Sequence, residues 1–233
     1  MTNSTEWRTG FDILFNNIMS NQAPGLNDYE VSVILTQAQE ELVITLYSGR
    51  RLNSFESTEE VKQYLSPLVE QVTLITPDSV LPVKTLGSDS YVFSLPSNLW
   101  FKTLERVIVR DDSLKCKGND QREMSVIPVT QDEYDRTINN PFKTNNDRRV
   151  LVLTPALRKS ELISKYPISK YIVRYIRKPR PIILTDLSSY GLSINGETAE
   201  HMCELHEALH ETILQRAVEI ARGIWMNTVQ NQQ

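Results

Sequence analysis

The stretch Tyr171–Ile176, with the sequence Tyr-Ile-Val-Arg-Tyr-Ile, is the clearest indication of the fold in this chain. Successive residues of a strand point to opposite faces, so the two tyrosines and the valine share one face while the isoleucines flank Arg174 on the other. Apolar side chains on both faces indicate that both are at least partly covered, and a neighbouring subunit could supply part of that cover. Pro179 and Pro181 follow, and proline ends a strand because it cannot donate to the ladder. The stretch therefore predicts a covered strand that ends near Pro179.

Further short runs rich in β-forming residues precede this strand. They are Gln71–Ile75, Ser90–Leu95, Leu104–Arg110, Val126–Val129 and Val150–Leu153. Runs of this length between turn residues predict an antiparallel sheet or a small barrel. Two long polar segments, Asp111–Glu123 and Asp132–Arg148, interrupt them. Loops that long are usually functional or mobile.

Both ends of the chain show the periodicity of helices. Apolar residues recur at spacings of three and four within 7–19, 31–46 and 205–224. Asn27 and Glu30 form a capping box at the start of the second helix, and Gly49 provides its end. Ser57 and Glu60 form another capping box before a short third helix.

Together these elements predict an α+β fold. The N-terminal helices and a long C-terminal helix pack as a bundle, and the centre is an antiparallel β-sandwich or barrel-like body. The predicted parts are a helical region over 1–70, a β body with long loops over 71–199, and a terminal helix over 200–233 that packs back on the first helices. A chain of 233 residues can bury a sufficient core without disulfides or metal, so we expect no cofactor.

Composition disfavours several classes of protein. The formal net charge is −4, from 25 basic and 29 acidic side chains, whereas stable nucleic-acid binders usually carry a basic excess. Cys116 and Cys203 fit no metal or redox spacing. No apolar run approaches the ~20 residues that span a membrane, and no secretion signal is visible in the first residues. We therefore expect a protein made in a cytoplasm, without a membrane partner.

One motif points to catalysis. The sequence from His206 to His210 reads His-Glu-Ala-Leu-His, and on a helix this spacing lets two histidines bind zinc while Glu207 activates the metal-bound water. A catalytic zinc also needs a third protein ligand. The 23 residues after His210 include no histidine, aspartate or cysteine, and Glu219 lies too far along the same helix. The alternative is structural: the histidines hydrogen-bond to a neighbouring element or subunit.

Two sets of residues are candidates for an interface. The first set is Tyr171 and the basic cluster at the end of its strand, which consists of Arg174, Arg177, Lys178 and Arg180. This cluster could meet phosphates or an acidic partner, or it could be a solvated strand end.

The second set lies in the polar segment 132–148 and just after it. Phe142 stands between turn residues, and Arg148 and Arg149 follow. An exposed phenylalanine near arginines is typical of an interface anchor, because aromatic residues and arginine dominate hot spots. The alternative is that Phe142 packs into the core of its own chain.

Several strings resemble a virion structural protein family of crAss-like tailed phages. They are Pro128–Thr130, Glu133–Arg136, Asn140–Lys143, Arg148–Leu151, Tyr171–Pro179, Cys203–Leu205 and Ile213–Ala221. The resemblance covers 126–222 well and the N-terminal helices more loosely. The order of elements is also similar to that of tail tubular adaptor proteins of other podoviruses.

The resemblance implies a head-to-tail connector ring in the neck of the virion. It implies a twelvefold homo-oligomer that contacts the portal protein on one side and an adjacent ring or tail protein on the other, with DNA passing transiently through the channel. Three other hypotheses remain open at this point: a zinc-dependent peptidase, a nucleic-acid-binding module using the basic cluster, and a different minor virion protein of similar build.

Overall fold

The computed structural model describes residues 3–19, 25–48, 59–75, 90–110, 121–154 and 156–230. The chain divides into two compact units: a helical unit of Met1–Leu68 with Lys178–Gln233, and a sheet unit of Val69–Arg177. Gly49, Ser57, Cys116 and most of the first polar segment (111–120) lie outside the described residues.

The helical unit contains α1 (Ser4–Met19), α2 (Asp28–Ser48), α3 (Glu59–Leu65) and α5 (His210–Gln230). The capping box of α2 is confirmed: the Asn27 N–H donates to the Glu30 carboxylate, and the Glu30 N–H donates to the Asn27 side-chain oxygen, both at 2.8 Å. The predicted return of the terminal helix is also confirmed, because α5 packs against α1 and α2. Fully buried side chains from the three helices share this unit's core: Trp7, Phe11, Val31, Leu35, Ala38, Ile213 and Ala217.

Three buried polar residues on α2 bind the segment that follows the sheet unit. Ser32 accepts from the N–H of Leu184 at 3.0 Å, and Thr36 accepts from the N–H of Ile182 at 3.1 Å. Gln39 donates to the carbonyl of Arg180 at 2.8 Å. Buried backbone groups need such partners, so these bonds place the segment beside α2. Residues 178–199, which the sequence assigns to the β body, therefore belong to the helical unit.

Seven strands among the described residues form one curled sheet, an open half-barrel, in the order β1-β7-β3-β4-β5-β6-β2. The strands are β1 (Val69–Ile75), β2 (Ser90–Ser94), β3 (Leu99–Arg110), β4 (Gln121–Pro128), β5 (Arg149–Leu153), β6 (Lys159–Ile163) and β7 (Ile168–Arg177). Every neighbouring pair is antiparallel except β4 and β5, which run parallel. A parallel pair needs a crossover connection, and residues 129–148, with the short helix α4 (Tyr134–Ile138), provide it.

Strand β6 is absent from the sequence interpretation. Its sequence, Lys-Ser-Glu-Leu-Ile, has too many polar residues to show the pattern of a strand, yet Ser160 and Glu161 are fully buried. Leu162 points into the main core of the sheet unit, while Ile163 joins a second cluster that includes Tyr134 and Ile138 of α4. Both faces of β6 are thus covered, which the alternation of polar and apolar residues could not indicate.

Candidate assembly surface

Phe142 is an exposed aromatic residue on an ordered loop. Its side chain is 85% exposed, so the alternative that it packs into its own core is wrong. The Asn140 side chain accepts from the Phe142 N–H at 2.9 Å, and the Arg149 guanidinium donates to the carbonyls of Phe142 and Thr144. These bonds fix the backbone on both sides of Phe142 while its ring stays in water.

A second tether holds the same loop to the sheet unit. One carboxylate oxygen of Asp147 accepts from the Lys165 ammonium and from the Tyr166 hydroxyl, both at 2.9 Å. The Asp147 backbone carbonyl accepts from Arg122 at 3.0 Å. The two side-chain hydrogen bonds lower the pKa of Asp147, so the carboxylate stays charged to a lower pH than that of an ordinary aspartate. Residues 140–149 are therefore held both by bonds within the loop and by bonds to the rest of the sheet unit.

Several exposed charged residues lie near Phe142 in the sequence. Arg136 and Phe142 line one shallow depression together with Asp135, and Lys143 and Arg148 are exposed close by in the sequence. We call Arg136, Phe142, Lys143 and Arg148 the Phe142 patch. Arg149 is half-buried, and its guanidinium is used to close the loop. The patch combines an apolar anchor with three positive charges, and Asp135 places one negative charge beside them.

Tyr171 lies inside the sheet unit. Its side chain is 0% exposed, its ring packs 5.1 Å from that of Phe93, and its hydroxyl donates to the carboxylate of Glu105. Burial raises the pKa of Tyr171, with a further contribution from Glu105. Tyr171 therefore stabilises the core of its own chain and presents no surface to a partner.

Most of the predicted basic cluster is already paired with carboxylates. Arg177 lies 3.0 Å from Glu70, and Arg180 lies 4.0 Å from a Glu204 oxygen while its backbone N–H donates to the other oxygen. Lys178 is likewise paired with a glutamate at 2.9 Å. Arg174 is exposed, but the cluster as a whole offers little uncompensated charge to a phosphate.

The structure reveals a second ordered surface that the sequence interpretation missed, in the segment 183–201. Leu187 and Ile194 pack in a small cluster beneath it, and the backbone pairs Ile194 with Glu197 across a tight turn. Asn195 and Gly196 form this turn with positive φ of 53° and 89°, a conformation that favours asparagine and glycine. The Asn-Gly pair is the signal in the sequence that could have located it.

An exposed aromatic residue also marks this second surface. Tyr190 is 70% exposed, at the end of a short 3-10 turn. Asp186, Glu197 and Glu200 are exposed on the same segment. The hydroxyl and N–H of Ser188 bind Asp186 and lower its pKa, which keeps that carboxylate charged. We call Asp186, Tyr190, Glu197 and Glu200 the Tyr190 patch.

Comparison with known proteins identifies the family. The family described as phage tail ring protein 3/4 matches residues 1–232 of this chain. The chain belongs to this phage tail ring protein family. It is 45% identical to "Ring protein 3" of Bacteroides phage crAss001 over 224 residues, which cover 95% of each chain. It is 36% identical to "Ring protein 4/5" of the same phage over 238 residues, which cover 98% of this chain and 95% of the relative.

The match confirms the resemblance to crAss-like phage virion proteins and makes the chain a structural ring protein of a phage virion. Both relatives are named as ring proteins, and neither name denotes an enzyme. Within the described parts of the ring protein, no helix is long and apolar enough to cross a membrane.

The histidine motif of this ring protein does not have the geometry that zinc binding on one helix requires. His206 precedes the helix in an extended conformation (ψ 140°), where its ring nitrogen accepts from the Ala208 N–H at 3.2 Å. His210 begins α5 and is buried, with its ring 5.1 Å from Trp7. The prediction that the whole motif is helical is therefore wrong.

The reason is a 3-10 turn, Glu207–Leu209, between the two histidines. The buried ring of His210 forms a hydrogen bond with the Leu205 carbonyl at 3.2 Å. This agrees with the alternative that the histidines of the motif form structural hydrogen bonds. Burial lowers the pKa of His210. Across the described residues, no three His, Cys, Asp or Glu side chains form a group able to hold a metal ion.

Proposed function

We propose that copies of this chain form a closed ring in the neck of the virion, between the portal and the tail, around a channel for the genome. The match to the phage tail ring protein family over residues 1–232 is the observation that carries the proposal. The expected ring is twelvefold, with the portal protein on one side and an adjacent ring or tail protein on the other. The role is passive docking, without catalysis.

The surface chemistry of the chain supports assembly. A ring needs heterologous contacts, in which one surface of a copy meets a different surface of the next. Phe142 is 85% exposed although its loop is closed by hydrogen bonds. An ordered loop gains nothing for its own fold from an aromatic ring in water, whereas an interface gains an anchor at low entropic cost. This is the pattern expected of a subunit.

The charge of the chain is compatible with a conduit for DNA. Its formal net charge is −4. A strongly basic channel would bind phosphates and slow the movement of the genome, whereas a mildly acidic subunit does not. The paired state of Arg177 and Arg180 agrees with transient rather than stable contact with DNA.

The mass of the assembled protein tests the proposal. The full chain is purified and measured by native mass spectrometry and negative-stain imaging, alone and with the portal protein of the same phage. We expect rings of one copy number, formed alone or on the portal. A portal preparation that binds no copies would refute the connector role, whereas a monomer in isolation would not, because the portal can template assembly.

A further inference from the structure

The net charge of −4 hides two oppositely charged units. The sheet unit, Val69–Arg177, has 17 lysines and arginines against 13 aspartates and glutamates, a formal charge of +4. The helical unit, Met1–Leu68 with Lys178–Gln233, has 8 against 16, a formal charge of −8. One chain therefore supplies both partners of an electrostatic contact.

The segregation is sharper within two consecutive stretches. Residues 136–180 contain 12 lysines and arginines but only two acidic residues, whereas residues 181–215 contain six acidic residues and neither lysine nor arginine. The first stretch contains the Phe142 patch and the second contains the Tyr190 patch. Each patch has an exposed aromatic residue, with 85% exposure for Phe142 and 70% for Tyr190.

Both patches are held in place before any partner arrives. The loop of Phe142 is closed by a hydrogen bond that Arg149 donates and by one that the Asn140 side chain accepts. The Asn195 side chain, which donates to Glu40 at 2.9 Å, ties the turn of the Tyr190 segment to α2. Ordered loops lose less conformational entropy on docking, so their exposed aromatic groups can contribute more of their burial to affinity.

We propose that the Phe142 patch of one copy docks on the Tyr190 patch of the next copy. Positive charges from Lys143 and Arg148 then face carboxylates from Glu197 and Glu200, and aromatic rings from both sides meet at the centre. The occupant is a second copy because the chain itself carries the complementary charge and a second aromatic anchor. The contact is heterologous, so it can repeat around a ring. This inference rests on the proposed ring and specifies the contact that closes it.

Charge reversal tests the contact in the full chain. One variant carries Lys143→Glu and Arg148→Glu, and the other carries Glu197→Lys and Glu200→Lys. Each variant alone places like charges opposite each other, and we expect assembly to need at least about tenfold more protein than the wild type. All four side chains are exposed, so a thermal unfolding scan should show the wild-type transition for both variants.

Mixing the two variants provides the decisive measurement. In an equal mixture, each native patch meets a native patch, and each reversed patch meets a reversed patch, provided that the variants alternate around the ring. We expect the mixture to assemble within about twofold of the wild-type concentration. Assembly of the wild type should also weaken when salt rises from about 50 mM to about 500 mM, because salt screens exposed charges.

A matched control and a cross-link complete the test. Arg110→Glu with Arg222→Glu makes the same change in net charge at exposed sites outside both patches and should assemble as the wild type does. A photoreactive phenylalanine analogue at position 142 should cross-link to residues 186–200 of another copy, distinguished by isotope labelling.

Two outcomes would overturn the contact while leaving the ring intact. They are wild-type assembly by the Lys143→Glu, Arg148→Glu variant, and a cross-link from position 142 that maps to the portal or another virion protein. A wild-type chain that forms no ring alone or with the portal would instead refute the proposed function itself.

Discussion

The two units differ in what their polar side chains do. In the helical unit, Ser32, Thr36 and Gln39 point inward from α2 and bind the backbone of a segment almost 150 positions away in the chain. In the sheet unit, the Asn140 side chain bonds within its own loop, and exposed Asp147 ties that loop to Lys165 and Tyr166, 18 and 19 positions further on. The first set joins distant parts of the chain, and the second only shapes a local surface.

This difference separates stability from assembly. Removing a buried partner leaves a backbone group unsatisfied in the core, which lowers the free energy of unfolding. Removing an exposed anchor leaves the fold intact and changes only what the surface can bind. We therefore expect substitution of a buried polar residue to lower the free energy of unfolding, and substitution of an exposed anchor to weaken assembly.

The largest effect is expected for Phe142→Ala. If the ring anchors a subunit contact, assembly should require roughly 30-fold more protein, the cost of a hot spot of about 2 kcal/mol. The free energy of unfolding should stay within about 0.5 kcal/mol of the wild type, because the side chain is exposed. Sedimentation over a concentration series and urea unfolding measure the two quantities.

Leu157→Ala is the matched control for Phe142. Leu157 is also 85% exposed and also belongs to the sheet unit, but it lies in the connection between β5 and β6. We expect nearly wild-type assembly from this variant. Equal losses from both substitutions would mean that exposed apolar area in general drives association, and the specific role of Phe142 would be lost.

Thr36→Val should destabilise the helical unit by about 1–3 kcal/mol, because the buried N–H of Ile182 would lose its acceptor. Thr45→Val serves as the comparison, since the Thr45 hydroxyl donates only to the Glu41 carbonyl one turn earlier in the same helix. Its effect should stay within about 0.5 kcal/mol. Urea unfolding of both variants measures the difference, and equal values would contradict the joining role of Thr36.

His210 should make the helical unit less stable at acid pH. Burial lowers the pKa of His210 below the ordinary histidine value of 6.5, so the folded state favours the neutral ring. Its contribution is complete above pH 6.5 and is lost as the pH falls through the lower pKa of the folded state. Unfolding free energies measured at several pH values should therefore decline as the pH falls below 6.5.

The variant His210→Gln should flatten that decline, because the titrating group is gone. His206→Gln is the comparison variant, since His206 is exposed, caps the turn before α5 and lies with its ring 5.6 Å from that of Tyr64. If the two variants show the same pH dependence, the buried position of His210 is not the cause.

The smallest effect is expected for Asp147→Asn. The Lys165 ion pair and the Tyr166 hydrogen bond both depend on the carboxylate, so the loop should open more often. Hydrogen exchange should become faster at the amides of 140–149, with global stability unchanged. Asp132→Asn, at an exposed position in the same crossover, should leave this exchange unaffected. Equal exchange rates in both variants would show that Asp147 does not tether the loop.

The candidate surface was only partly predictable. Phe142 stood out because an aromatic residue between turn residues and arginines is unusual in a polar loop. Tyr171 was a candidate because its strand carries apolar side chains on both faces, yet it is buried in the core of the sheet unit. Tyr190 gave little signal, since its exposure depends on the cluster of Leu187 and Ile194 beneath its segment. Exposure is a property of the packed chain, so local composition could only suggest it.

The sequence alone determined the α+β fold, the capped start of α2, the main strands and the strings that carry the family resemblance, because these depend on near neighbours in the chain. Tertiary structure decided that 178–199 joins the helices, that β4 and β5 run parallel, that the histidine motif is split by a 3-10 turn, and which aromatic rings remain in water. Each of these depends on contacts between residues far apart in sequence, which no local pattern records.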